Sequence, residues 1–123
     1  MAFIPGHWYL AYCTLTKPNP KEKFIICLTD SDYYRIFYIN TNLRKFAEPL
    51  SQIPVTQDDL PHLTHKSYID TSQELVCNDL TCVIVRNFGR LSDSIVNKIR
   101  VQVKESETMP PRCIQKILAE FKV

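Results

Sequence analysis

Glycine is nearly missing from this chain. Only Gly6 and Gly89 occur in 123 residues, and two glycines so far apart cannot build a dinucleotide fingerprint or a P-loop, which need several close together to admit phosphate to the backbone. Long apolar runs are missing too, since no stretch approaches the roughly 20 residues that span a bilayer as a helix. The opening Met1-Ala2-Phe3-Ile4-Pro5-Gly6 has neither the basic n-region nor the apolar h-region of a secretory leader. Charge is close to balanced, with a formal net charge of +2 and a pI near 8.3, which tolerates an anionic partner without demanding one. Five cysteines are present, Cys13, Cys27, Cys77, Cys82 and Cys113. A disulfide framework wants an even count and a secreted context, so the expectation is a cytoplasmic protein with free thiols.

What is present reads as one globular domain. Hydrophobic residues make up 45% and charged residues 23%, an ordinary globular balance, and two domains from a chain this short would each lack a stable core. Trp8 to Leu15 is aromatic and aliphatic without helical spacing, a strand buried on both sides. Pro18 and Pro20 break it. Phe24 to Leu28 is a second apolar strand. Tyr33 to Thr41 is a third, with Tyr34, Ile36 and Tyr38 on one side and Phe37 and Ile39 on the other. Residues 42–66 hold three prolines and read as a long loop, with a one-turn helix near Leu43–Phe46. Ser67 to Asp70 and Thr81 to Val85 resume extended structure. After Gly89 the period changes: Ser92 caps a helix with Ile95, Val96, Ile99 and Val103 on its inner face, and Leu91 with Val96 forms a hydrophobic staple. Pro110-Pro111 opens a second helix with a stripe of Cys113, Ile114, Ile117, Leu118 and Phe121. Strands first and helices last predict an α+β fold with the helices gathered on one side.

Four motifs in this order resemble the PemK/MazF-like toxins of type II toxin–antitoxin systems. They are Pro5-Gly6-His7-Trp8-Tyr9-Leu10, Lys23-Phe24-Ile25-Ile26-Cys27-Leu28-Thr29, Ile39-Asn40-Thr41-Asn42 and Gly89-Arg90-Leu91-Ser92-Asp93. A further segment, His65-Lys66-Ser67-Tyr68-Ile69-Asp70, resembles relatives from bacteria, plasmids or phage in the same barrel group. The resemblance implies a small, SH3-like, mainly antiparallel β barrel over about residues 6–88, followed by helices near 92–105 and 111–121. It also implies a metal-independent endoribonuclease acting on single-stranded RNA without a cofactor, neutralised by an antitoxin protein, homodimeric and not bound to a membrane. The sequence departs from the family where Lys23 replaces an arginine at the start of the second strand. A lysine balances phosphate charge but lacks the bidentate fork of a guanidinium. After the fourth strand begins, where the family often has a second Arg or Asp, this chain offers Asp70-Thr71-Ser72-Gln73-Glu74.

Metal-independent RNA cleavage needs a base for the 2′-hydroxyl, an acid for the leaving oxygen and a cation for the phosphate. The expected constellation is His65 with Asp70 as acid/base and orienting partner, Lys23 as phosphate clamp and Thr41 as hydrogen-bonding positioner. Lys21, Tyr33 and Ser67 are the expected RNA contacts. Against this stands a plain alternative, in which His65 and Asp70 merely pin a loop onto a strand and the domain is a non-catalytic barrel module binding protein or nucleic acid. His62 and His65 with Asp70 have a helical ligand spacing, but Pro61 and the polar residues around them argue for a loop, and Cys77 with Cys82 resembles a zinc half-site without a second cysteine pair nearby, so a metal is not expected. The group Trp8, Tyr9, Tyr12, Tyr33, Tyr34, Phe37 and Tyr38 fits a barrel core better than an RNA-stacking surface, Tyr33 and Tyr34 being the most exposed. Thiol titration of the denatured protein should count five; three or fewer, restored by reductant, would contradict the reducing compartment.

Overall fold

The computed structural model describes residues 3–14, 16, 19–41, 51–72 and 74–123. Within them seven strands precede two helices: β1 (His7–Cys13), β2 (Lys21–Thr29), β3 (Tyr34–Asn40), β4 (Gln52–Val55), β5 (Ser67–Asp70), β6 (Leu75–Cys77), β7 (Cys82–Arg90), α1 (Asp93–Lys104) and α2 (Pro111–Glu120). The expected α+β arrangement is therefore present. The strands form one antiparallel sheet in the order β4-β5-β3-β2-β1-β7. The free side of β3 serves two strands, with β5 pairing at Ile39 and Asn40 and β6 at Tyr34 to Ile36. Register shifts interrupt β1–β7 twice and β2–β3 once, and such bulges raise local twist. The sheet is barrel-like, but among the described residues its edge strands β4 and β7 do not pair.

Alternation along β1 to β3 creates two cores. Trp8, Ile26, Leu28, Phe37 and Ile39 face one side, where Ile53, Leu60, Leu63, Leu91, Ile95, Ile99, Val103, Ile117 and Phe121 cover them. Tyr9, Ala11, Cys13, Ile25, Cys27 and Ile36 face the other, packed with Phe3, Cys77 and Cys82. The helices thus cover one face only, as their late position in the chain predicts.

Ser92 caps α1, its side chain accepting from the Ile95 amide at 3.3 Å, with Asp93 in the first turn and Lys104 in the last. Leu91 and Val96 are both buried beneath it. Pro111 stands in the first turn of α2. At the far end of α2, Arg100 Nη1 donates to the carbonyls of Leu118 (2.8 Å) and Phe121 (2.6 Å), satisfying acceptors that a helix end leaves open. Glu120 accepts from the amides of Asp30 and Ser31 at 2.9 and 3.1 Å, which docks α2 on the β2–β3 turn. Arg35 secures that turn from inside with a fork to Asp32, at 2.7 and 3.3 Å. The Arg35 hydrogen bond holds the Asp32 carboxyl down to about 2.

Three strands depart from the sequence reading. β4 lies inside the span read as loop, because Pro54 obscures it; β4 is an edge strand, where a residue without an N–H is tolerated. β6 is three residues long, too short to show a period. β7 also runs on to Arg90, since Gly89 takes φ +94° and stays opposite Trp8. The one-turn helix expected near Leu43–Phe46 lies outside the described residues. No described helix is long and apolar enough to cross a membrane.

Two substitutions separate core from cap. Phe37→Ala, at a fully buried position against the helices, should cost about 3–5 kcal/mol in urea unfolding. Ser92→Ala should cost about 1 kcal/mol and Ser92→Gly only a few tenths. Equal losses for Ala and Gly would contradict the capping role.

Candidate functional site

The first polar residues of β2 lie where the sheet's second face runs out of apolar side chains. Ala11 opposes Lys23 and Cys13 opposes Lys21, so both lysines project from the face that carries the cysteine-rich core. Lys23 is half-buried, and its Nζ donates to Asn40 Oδ1 at 2.5 Å while lying 5.1 Å from the centre of the Tyr38 ring. Asn40 in turn opposes Tyr68, and Tyr68 opposes Pro54. A row therefore runs across five strands from Ala11 through Lys23, Asn40 and Tyr68 to Pro54. Burial pushes the Lys23 ammonium below the usual lysine range and neighbouring Lys21 adds to the fall, while Cys13 and Asp70 pull the other way.

Asp70 belongs to this face but is held down within it. It is 6% exposed, and its Oδ1 accepts from Gln52 Nε2 at 2.8 Å, from the Ser72 amide at 3.0 Å and from the Ser72 hydroxyl at 2.5 Å. Gln52, which opposes Asp70, is itself 5% exposed, and its Oε1 has no hydrogen-bond partner among the described residues. A buried acceptor left unpaired carries a desolvation cost.

The other expected residues lie elsewhere. His65 sits exposed on the loop before β5, in a shallow cleft of about 320 Å³ with Thr56, Gln57, Asp58, Thr64 and Lys66. Asp70 ends β5, and four extended residues alone span about 10 Å, so His65 and Asp70 occupy opposite ends of one strand rather than one hydrogen-bonded pair. Ser67 is buried, with its hydroxyl donating to the His65 carbonyl at 3.0 Å, which fixes the loop. Thr41 is the exposed residue just past β3, and the neighbour that reaches Lys23 is Asn40. Tyr33 is 58% exposed but precedes the opposite end of β3, about 20 Å from Asn40 at strand rise. The cluster brought together is thus Lys21, Lys23, Tyr38, Asn40, Gln52 and Asp70.

Sequence reasoning passed over Asn40 and Gln52. The available signal for Asn40 was a polar residue on the Tyr34, Ile36 and Tyr38 side of its strand; for Gln52 there was none, because β4 was not visible. Of the aromatics, Trp8, Tyr9 and Phe37 are core, as expected, and Tyr12 is exposed. No three described His, Cys, Asp or Glu side chains converge to hold a metal ion. No family model matches this chain, and no curated protein matches it.

The lowered ammonium has a sign that can be checked. Below its folded pKa, Lys23 is charged in both states and its burial subtracts from stability; the subtraction fades as pH rises through that pKa toward 10.5. Lys23→Met should therefore keep or raise the thermal midpoint at neutral pH. A fall would show that the bond to Asn40 is a structural staple.

Proposed function

We propose that this domain is a divergent PemK/MazF-like protein that acts on single-stranded RNA, with the RNA backbone seated at Lys23. The observation that carries the reading is a cation that folding half-buries at a cost, yet orients through Asn40 and Tyr38 on a face also bearing Lys21. A lysine kept at the expense of stability suits a task such as holding phosphate, and two neighbouring ammonium groups complement a phosphodiester.

In metal-independent cleavage the 2′-hydroxyl gives up its proton and attacks phosphorus. The P–O5′ bond then breaks, and the leaving oxygen takes a proton. Lys23 would balance the charge that grows on the phosphoryl oxygens. Asp70 would hold Gln52 and Ser72 in place and bias the charge of Lys23, while His65 stands on the loop at the far end of β5 from this cluster. Under this reading the partners are an antitoxin protein and a second copy of the chain, in a cytoplasm where its five thiols stay reduced.

A second reading is favoured by one observation, the separation of His65 from Asp70 along β5. In it the same face binds RNA without cutting it.

Both are tested with a labelled single-stranded RNA in the presence of a metal chelator. Cleavage that Lys23→Ala abolishes supports the nuclease, whereas retention of intact RNA supports the binding module. In either case Lys23→Ala should weaken binding about tenfold and reduce the salt dependence by about one phosphate contact. An unchanged salt slope, or no RNA binding by the parent chain, would remove RNA from consideration. Growth arrest on expressing the chain alone, relieved by a small adjoining reading frame, would support the toxin assignment.

A further inference from the structure

Beneath Lys23 the second core holds four buried cysteines, Cys13, Cys27, Cys77 and Cys82. Two of them stand directly opposite one another, Cys13 near the end of β1 and Cys82 at the start of β7. Just beyond, the Thr14 amide donates to the Thr81 carbonyl at 2.9 Å. The Thr81 amide turns to the Asn78 carbonyl instead, so this single bond flanks Cys13 and Cys82 and makes them a non-hydrogen-bonded pair. In antiparallel sheets such pairs bring the Cα atoms to about 4.5 Å with side chains at their closest, inside the range that a disulfide bridges. The two sulfurs are already 3.6 Å apart. Access is one-sided: Cys82 lines an open cleft of about 340 Å³ with Phe3, Asp79, Val83 and Ile84, whereas Cys13 is fully enclosed.

We infer that Cys13 and Cys82 form a redox-active dithiol, which a small peroxide entering the cleft converts to a disulfide joining β1 to the edge strand β7. The Cys82 sulfur, as thiolate, attacks one peroxide oxygen. An S–O bond forms, the O–O bond breaks, and the departing oxygen leaves as water with the proton that Cys82 gave up. The Cys13 sulfur then attacks the Cys82 sulfenic acid; the S–S bond forms, the S–O bond breaks, and a second water leaves with the Cys13 proton. The two sulfurs lose two electrons, which reduce one peroxide to two waters. Both thiols are pushed up: Cys13 chiefly by its hydrogen bond with Cys82 and then by burial; Cys82, which the hydrogen bond with Cys13 lowers, is carried up to about 12 by Cys77 and burial together. Little thiolate is present at neutral pH, so the dithiol responds to sustained oxidant rather than to a brief pulse.

The test uses the full chain, folded, with excess hydrogen peroxide. The monomer should lose about 2 Da. Digestion with trypsin and an Asp-specific protease puts each cysteine on its own peptide, because Asp79 lies between Cys77 and Cys82. The expected link is Cys13 to Cys82, and it should raise the thermal midpoint on the order of 10 °C until dithiothreitol reverses it. Cys77→Ser should retain both effects and Cys13→Ser lose both. A parent chain that stays unlinked, links through Cys27 or Cys77, or joins two copies overturns the inference, and so does a link that persists in Cys13→Ser.

Discussion

Strands β1, β2 and β3 carry apolar side chains at nearly every central position, so neither face of the sheet can be left to water. That constraint governs the rest of the molecule. One face is covered by α1, α2 and the segment bearing Leu60 and Leu63; the other by Phe3 and by the sheet curling β6 and β7 back over it. The ties that look secondary serve this cover. Arg100 joins α1 to the end of α2, Glu120 sets α2 on the β2–β3 turn, and Arg35 with Asp32 stiffens the turn that receives it.

The Lys23 cluster follows from the same constraint. Apolar cover on the second face ends where β2 leaves its core, and the side chains there still point inward by strand alternation. An inward-pointing lysine must find partners or shed its charge. It finds Asn40 and the Tyr38 ring, and the Asp70 carboxylate helps it keep its proton. Cys13 lies in the same layer, so the polar rim and the buried thiols are neighbours produced by one strand register.

Much of the fold was legible because periodicity is local. The Tyr34, Ile36, Tyr38 face opposed to Phe37 and Ile39 could be read along β3, and the change of period after Gly89 announced both helices, with Ser92 and Pro111 marking their starts. Where the chain has a proline on an edge strand, as in β4, or only three residues, as in β6, local pattern carries no signal. The site was legible in part. Lys23 and Asp70 were named together and stand on one face of the sheet, whereas His65 and Thr41 were grouped with them because they fall close in the order of strand ends.

Residue types and spacing alone settled that this chain is strands before helices, which faces are apolar, where α1 is capped, and that glycine-dependent nucleotide loops are excluded. These are properties of consecutive residues. Which polar groups meet was settled by strand pairing: Asn40 beside Lys23, Gln52 against Asp70, Cys13 across from Cys82. Register joins residues far apart in the chain, and a shift of a single position reverses every side chain to the other face. No local stretch encodes that choice; burying both faces of the sheet at once does.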